Sequence, residues 1–299
     1  MASISHIPIT KGCEIPIIKQ FNNDGGYHFT DGLGDCEELK SLQYEDIKIS
    51  GSLSPLRIIE LVKKYPNEIN LLCLAPLTNI AAAYMLYPDI INKVKFVYIM
   101  GGTTKCFGNH ISTAEYNSAY DFISSKIVLE NFKNIILTPW EPTSGVLYSM
   151  EYLKEIKKDF EEQGIVYNTR LFSYWELVLK NYDLRNNGIG MEICDLYSII
   201  PAFNSDSVKK FFACDIDVII DSSDNVGMTT LRNKVKYQGS FKDFINLKYE
   251  HFNGNGKNLE NGKEYFSNLN LPNKKIVLDQ LDKDELHKEF LSIFTELLC

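Results

Sequence analysis

Short apolar runs alternate with amphipathic stretches along the first half of the chain. Residues 70–76 and 94–100 are almost wholly apolar, which is typical of parallel strands buried on both faces of a sheet. Each run is followed by a segment with apolar residues at helical spacing, at 80–86 and at about 120–132. A further apolar run occupies 134–138. Strands that alternate with helices in this way predict βαβ units and therefore an α/β fold.

The remaining pattern is less regular. Residues 7–12 and 215–220 are predicted to be short strands, and residues 240–273, dense in Asn, Gly and Lys, are expected to form a long solvated excursion. Helices are predicted at 54–65, with Ser54 as N-cap, at 151–162, at 169–182 with Trp175 in the core, from 195 to 203, and from about 282 onward. Because no linker is visible, residues 1–299 are interpreted as a single domain.

The composition and net charge of the chain indicate which class of ligand it binds. The 299 residues are 44% hydrophobic and 23% charged, with a formal net charge of -8. No Lys/Arg block with interleaved aromatic residues is present, so a nucleic acid polymer is not an expected partner. A small neutral molecule fits better.

The cysteines and the apolar stretches indicate the compartment. The seven cysteines are scattered and never form CxxC, which favours reduced thiols in the cytoplasm over disulfides or a zinc site. The longest apolar stretch, 71–87, is broken by Pro76 and polar residues, so no membrane span is predicted. No basic segment followed by an apolar one is found near Met1, so no signal peptide is expected.

The most polar stretch near a predicted strand end is 108–117, which follows two glycines at the end of the run 94–100. The glycines let the backbone turn sharply, so the next side chains reach the carboxyl edge of the sheet, where open α/β proteins bind ligands. Glu115 lies between Asn109 and Asn117. Carboxylates accept hydrogen bonds and amides both donate and accept them, so the three side chains suit a polyol such as a sugar.

Each of these features also has an ordinary structural explanation. Asn109 and Asn117 could support loop turns while Glu115 is solvated. His28, in the glycine-rich loop 25–35, could line a site or belong to a turn that uses Asp and Gly for local backbone bonds. Composition alone leaves both explanations open.

Several segments form a specific set when they are taken in order. They are HFTDGLGD at 28–35, APLTNIA at 75–81, MGG at 100–102, the stretch 108–121 with GN, AEYN and a final Asp, and Asp195. Together they resemble the nucleoside hydrolases of the inosine/uridine-preferring family, from about Ile7 to the C-terminal helix. The resemblance implies the nucleoside hydrolase fold, an open, mainly parallel sheet flanked by helices, with Ca²⁺ at its carboxyl edge.

The resemblance also implies roles for individual residues. The positions that match substrate-binding residues are His28, Asn109, Glu115, Asn117 and Asp195. Asp195 also matches a calcium ligand, and so does the backbone carbonyl of Leu74. The implied activity is hydrolysis of the N-glycosidic bond of a ribonucleoside to free base and ribose. In the family, a calcium-bound water, deprotonated by an aspartate, attacks C1′. A homo-oligomer is implied only by analogy with the family.

One departure from the family concerns the leaving base. Many members have a histidine just before the calcium aspartate, whereas this chain has Cys194. Together with Pro139, Trp140 and Glu141, this cysteine resembles the cysteine-bearing branch of the family. A thiol is a poor general acid at neutral pH unless its pKa is tuned. Cys194 is therefore expected at the leaving-group position, or it is simply a small buried apolar residue.

The second departure is an absent motif. The chain contains no DxDxGxDD sequence, which in the family supplies the general base and most calcium carboxylates. Because residues 7–9 align with the family's third strand, the resemblance implies that the first βαβ unit is missing. Asp195 and one carbonyl are then too few for Ca²⁺, which takes about six to eight oxygens. The chain as written is expected to be N-terminally incomplete and inactive.

Two other functions remain open. A pseudoenzyme that retains Asn109, Glu115 and Asn117 would bind ribose or nucleosides without cleaving them. An unrelated glycosidase would use Glu115 and Glu141 as acid and nucleophile, which requires their carboxyl groups to lie about 5 to 10 Å apart. Binding without product formation would identify the first, and the separation of the carboxyl groups tests the second.

Overall fold

The computed structural model describes residues 7–18, 26–32, 34–37, 49–145, 147–185, 187–221, 224–237, 239–252 and 274–296. The strands are β1 Ile9–Lys11, β2 Ile49–Leu53, β3 Asn70–Cys73, β4 Phe96–Met100, β5 Ile135–Thr138, β6 Leu147–Tyr148, β7 Met191–Glu192, β8 Val208–Val218, β9 Thr229–Lys236 and β10 Lys275–Leu281. The helices are α1 Ser54–Lys64, α2 Thr78–Leu86, α3 Tyr116–Tyr120, α4 Phe122–Asn131, α5 Trp140–Thr143, α6 Met150–Glu162, α7 Thr169–Arg185, α8 Cys194–Phe203, α9 Phe241–Phe252 and α10 Lys283–Glu296.

A mainly parallel sheet organises the molecule. Its strand order is β3-β4-β5-β10-β8-β9. The first four of these strands run parallel, while β8 is antiparallel to β10 and β9 is antiparallel to β8. The pairs β1-β2, parallel, and β6-β7, antiparallel, form two further small sheets. The α/β architecture with a mainly parallel sheet is therefore confirmed, with an antiparallel hairpin at one side.

Alternating side chains of the central strands enter two separate hydrophobic layers. All five residues of β4 are buried. Phe96 and Tyr98 pack into one layer with residues of α6, α7, α9 and α10. Val97 and Ile99 pack into the other layer with residues of α1, α2 and α4. Since a strand turns successive side chains to opposite faces, this division places helices on both sides of the sheet.

The prediction that residues 70–76 form a strand buried on both sides is wrong. The strand β3 ends at Cys73, and Asn70 and Leu72 are exposed. It pairs with β4 on one side, and in the described part of the chain no strand pairs with its other side. An apolar sequence alone does not distinguish an interior strand from the outermost one.

Two other predictions also need correction. Residues 241–252 are not a solvated excursion but the helix α9, whose Phe241 and Phe244 are buried against the sheet, while 253–273 lie outside the described residues. Ser54 is not the N-cap of α1, because the helix begins at Ser54 itself. Its hydroxyl donates to the carbonyl of Thr10, 3.2 Å away, and so holds β1 to the start of the helix.

The aromatic stripe of α7 is confirmed as core. Trp175 packs against the layer that contains Phe290, with its ring edge-on to the Phe290 ring at 5.8 Å between centroids. Among the helices that the structure describes, none is long and apolar enough to cross a bilayer.

Candidate active site

Glu115 lies at the carboxyl edge of the sheet, at the start of α3. Its side chain is 1% exposed and is the N-cap of that helix. One carboxylate oxygen, Oε1, accepts a hydrogen bond from the backbone N–H of Asn117 at 2.7 Å. The other, Oε2, accepts from the N–H groups of Gly102 at 2.8 Å and Ser118 at 3.0 Å. The alternative that this carboxylate is solvated is wrong, because helix capping turns it inward.

Burial also changes the acidity of Glu115. Desolvation raises its pKa from about 4.5 to about 7, and the nearby charge of Asp195 adds to the rise, while the three N–H donors oppose it. A carboxylate has about four lone-pair sites, so one on Oε1 remains for a further donor. The three backbone donors thus leave one acceptor position of Glu115 unused.

The two asparagines on either side also bind the backbone. The side-chain oxygen of Asn109 accepts from the N–H of Tyr116 at 2.8 Å. The side-chain amide of Asn117 donates to the carbonyl of Met100 at 3.2 Å. Both asparagines therefore support the loop, which confirms the structural explanation that the sequence allowed for them. Asn109 is exposed and Asn117 is half-buried, so both remain accessible from the edge of the sheet.

The N-terminus of α8 brings Cys194 and Asp195 to the same edge. Asp195 is in the first turn, and the N-cap of the helix is Ile193, so Asp195 is not explained as a helix cap. Although Asp195 is open to solvent on one side, the surrounding protein desolvates it and raises its pKa to about 6. Its charge acts on both Glu115 and Cys194, which places the three side chains together.

Cys194 is poorly suited to proton transfer. Burial raises the pKa of its thiol to about 12, and the negative charges of Glu192, Asp195 and Glu115 act in the same direction, while a hydrogen bond with Thr143 opposes the rise. At neutral pH the thiol therefore stays protonated and can donate a hydrogen bond, but it releases its proton with difficulty.

This environment predicts slow alkylation of Cys194. In the native protein at pH 8, iodoacetamide should modify Cys194 on the order of tenfold or more slowly than the exposed Cys106, since the thiolate is the reactive species. Peptide mass spectrometry over time gives both rates from one sample. The difference should vanish in 8 M urea, and equal native rates would contradict the protonated, shielded thiol.

His28 approaches the site from the N-terminal segment. Its Nδ1 lies 2.8 Å from the hydroxyl of Tyr182 on α7, and its ring packs edge-on against Tyr27. The Tyr27 hydroxyl in turn bonds the backbone of Glu192, two residues before Cys194. His28 is thus placed beside the start of α8, on an exposed surface. Its contact with a sugar stays a prediction.

Glu141 holds the opposite end of the loop that contains Gly102. Its Oε1 accepts from the N–H groups of Thr104 at 2.7 Å and Lys105 at 2.8 Å. Because this oxygen is already bonded to two backbone groups, Glu141 has the contacts of a loop support. Its proposed role as a glycosidase nucleophile stays an untested prediction.

The residues expected to bind Ca²⁺ do not by themselves form a suitable site. Leu74 follows β3 directly, and Asp195 lies in the first turn of α8. Across the described ranges, no group of three or more His, Cys, Asp or Glu side chains could hold a metal ion. One carboxylate and one carbonyl do not satisfy an ion that takes about six to eight oxygens.

The sequence pattern missed the structural importance of Asp121 and Thr229. Asp121, 1% exposed, accepts hydrogen bonds from Thr78, Ser124 and the N–H of Ile17, and thereby holds the N-terminal segment against α2 and α4. Thr229 binds the backbone of Thr103. Asp121 is the last residue of the stretch 108–121 that resembles the family, but the sequence assigned no role to it. Thr229 lies in none of the matching segments.

Solved structures with a similar fold are nucleoside hydrolases. An inosine-guanosine nucleoside hydrolase aligns with a TM-score of 0.73 at 19% identity, over 98% of this chain and 82% of that chain. A purine-preferring ribonucleoside hydrolase from Gardnerella vaginalis aligns with a TM-score of 0.70 at 19% identity, over 97% of this chain and 80% of that chain. At such identities the similarity establishes the fold.

Sequence comparisons establish the family. The inosine-uridine preferring nucleoside hydrolase of Crithidia fasciculata is 30% identical over 162 residues, which are 53% of this chain and 49% of that protein. The chain thus spans about half the length of the curated relatives it matches. The model of the inosine-uridine preferring nucleoside hydrolase family matches residues 1–286. This match covers nearly the whole chain, which therefore belongs to the inosine-uridine preferring nucleoside hydrolase family.

Proposed function

We propose that this chain provides the ribose-binding part of an enzyme that hydrolyses the N-glycosidic bond of ribonucleosides. The observation that carries the proposal is the arrangement of Glu115, with a lone-pair site still free, beside Asp195 and the half-buried Asn117. Carboxylates that accept from vicinal hydroxyl groups would hold the sugar ring in one orientation. The scattered cysteines are consistent with a cytoplasmic setting, since those in the described ranges are free thiols.

The charges of the site suit a ribose ring that becomes positively charged as the glycosidic bond breaks. The two carboxylates would favour positive charge that develops on the ring as the base departs. Cys194, with its pKa raised to about 12, could hold the departing base by a hydrogen bond without releasing its proton. We propose no general base among the described side chains near Glu115, and we propose that the 299 residues alone hydrolyse nucleosides slowly or not at all.

A second candidate is nucleoside binding without hydrolysis. It is favoured by the small number of metal-ligating side chains near Asp195 in the described ranges. The same residues would then recognise ribose in a protein that senses nucleosides. Binding is common to both candidates, and product formation separates them.

Calorimetry and a base-release assay test the proposal. The purified 299-residue protein should bind inosine or uridine in the presence of Ca²⁺, and Asp195→Ala should weaken binding at least tenfold because an exposed carboxylate that accepts from ribose is lost. Asp206→Ala is the matched control, since Asp206 is exposed and is not among the groups that shift the pKa of Glu115 or Cys194.

The outcomes separate the candidates. Binding with release of free base supports hydrolysis and contradicts the expected inactivity of the chain alone. Binding without product favours the sensor. If neither nucleoside binds the unmodified protein, the ribose site is refuted.

A further inference from the structure

The hairpin formed by β8 and β9 reaches the backbone on both sides of Glu115. The hydroxyl of Thr229 accepts from the N–H of Thr103 at 2.8 Å and donates to the carbonyl of the same residue at 2.6 Å. On the other side, the hydroxyl of Ser118 donates to the carbonyl of Gly227 at 2.7 Å. A single hairpin thus binds two segments that are distant from it in sequence.

These two segments carry both donors to one carboxylate oxygen. The N–H of Gly102 and the N–H of Ser118 both point at Oε2 of Glu115. Gly102 directly precedes Thr103, and Ser118 is itself bound to the hairpin. The position of the hairpin therefore determines where both donors lie. By contrast, the N–H that reaches Oε1 comes from Asn117, whose side chain binds the carbonyl of Met100 and not the hairpin.

Close packing leaves the hairpin little freedom. Gly102 has a φ of +71°, and a Cβ there would lie 2.8 Å from Cγ2 of Thr229. Gly227 has a φ of +81°, and its Cβ would lie 2.4 Å from the Cα of Ala119. Both glycines allow a close approach that a larger residue would prevent. Backbone bonds between Gly227 and Ile219 and between Ile219 and Met228 close the turn itself.

We propose that the β8-β9 hairpin, through Thr229 and Gly227, is the positioning element that fixes the Glu115 carboxylate for its ligand. Thr229 is a positioning residue, because its hydroxyl is satisfied by Thr103 and acts on Glu115 only through the Gly102 peptide. The identity of the ligand as ribose rests on the proposed function, whereas the mechanical link does not.

Hydrogen exchange tests the mechanical link without any ligand. Thr229→Val keeps the shape of the side chain and removes both hydrogen bonds to Thr103, so the Gly102 amide should exchange about tenfold faster. Thr229→Ser keeps the hydroxyl and should exchange within about twofold of the wild-type rate. The Asn117 amide, bound to Oε1 within the cap, is the internal reference and should be unchanged in both variants.

A second variant covers the opposite segment. Ser118→Ala removes the bond to Gly227 but keeps the Ser118 amide, whose exchange should then accelerate. This variant decides the matter if Thr229→Val does not fold. Unchanged exchange of Gly102 in folded Thr229→Val, or of the residue 118 amide in Ser118→Ala, would overturn the positioning role.

The affinity for a ligand distinguishes a positioning role of Thr229 from a purely structural one, which would leave the affinity unchanged. Inosine should bind Thr229→Val about tenfold more weakly than the wild type, with binding restored in Thr229→Ser. A lower melting temperature of Thr229→Val with unchanged affinity and exchange would refute the proposal. If the wild type binds no inosine, the proposed function fails, and the exchange measurements still decide the role of the hairpin.

Discussion

Replacing Glu115 with alanine is expected to lower the free energy of unfolding by about 3 to 5 kcal/mol. Three backbone N–H groups, of Gly102, Asn117 and Ser118, would lose their acceptor in a site that is nearly closed to water. Each buried donor left without a partner costs about 1 to 3 kcal/mol, partly offset where water enters the vacated space. Urea unfolding followed by tryptophan fluorescence measures the change.

Glu115→Gln is the matched control, because it keeps the shape and one acceptor oxygen. The folded pKa of Glu115 lies near 7, above the ordinary value near 4.5. Stability from the protonated acid is therefore fully present below about pH 4.5 and is lost as pH rises through 7. Glutamine cannot ionise, so the free energy of unfolding of Glu115→Gln should fall least below that of the wild type at pH 8.

A change under about 1 kcal/mol in the free energy of unfolding of Glu115→Ala would contradict the three buried hydrogen bonds.

The second large effect is expected at Asp121. Asp121→Ala removes the acceptor of four hydrogen bonds, from the N–H of Ile17, the hydroxyl of Thr78, and both the N–H and the hydroxyl of Ser124. We expect a loss of about 3 kcal/mol in the free energy of unfolding and loosening of the chain at Ile17, whose N–H loses its acceptor. The Ile17 amide should then exchange with solvent faster than in the wild type, as hydrogen exchange shows.

Two controls accompany this substitution. Asp121→Asn retains one oxygen and should lose less stability, while Asp206→Ala removes an exposed carboxylate and should behave as the wild type. Exchange of the Ile17 amide that is equal in Asp121→Ala and the wild type would show that Asp121 does not hold this part of the N-terminal segment.

The parallel half of the fold was predictable because apolar residues form continuous runs in its strands and recur at helical spacing in its helices. The strands β4 and β5 and the helices α2 and α4 appear close to the expected positions, since buried runs and helical spacing are local signals. The position of β3 at one side of the sheet was not predictable, because pairing depends on distant residues. The helix α9 was missed because its few buried aromatics lie among polar residues.

The site was predictable only in part. The sequence indicated that Glu115 lies at the carboxyl edge, and the structure places it there beside Asp195. It did not indicate that the carboxylate faces inward. The groups that hold Glu115 are peptide N–H groups, which are common to nearly all residue types and therefore leave no trace in a motif. The role of Thr229 was not predictable for a related reason, since Thr229 binds Thr103 from a strand more than a hundred residues further along the chain.

A carboxylate held by the main chain has a consequence for sequence divergence. At Asn117 and Ser118 every residue type except proline supplies the N–H donor, although the Ser118 hydroxyl also binds the carbonyl of Gly227. Gly102 differs, because a Cβ there would collide with Thr229. Sequence change in this part of the chain is therefore limited by the room around the Gly102 peptide and by the Ser118 hydroxyl, whereas the N–H donors themselves need no particular side chain.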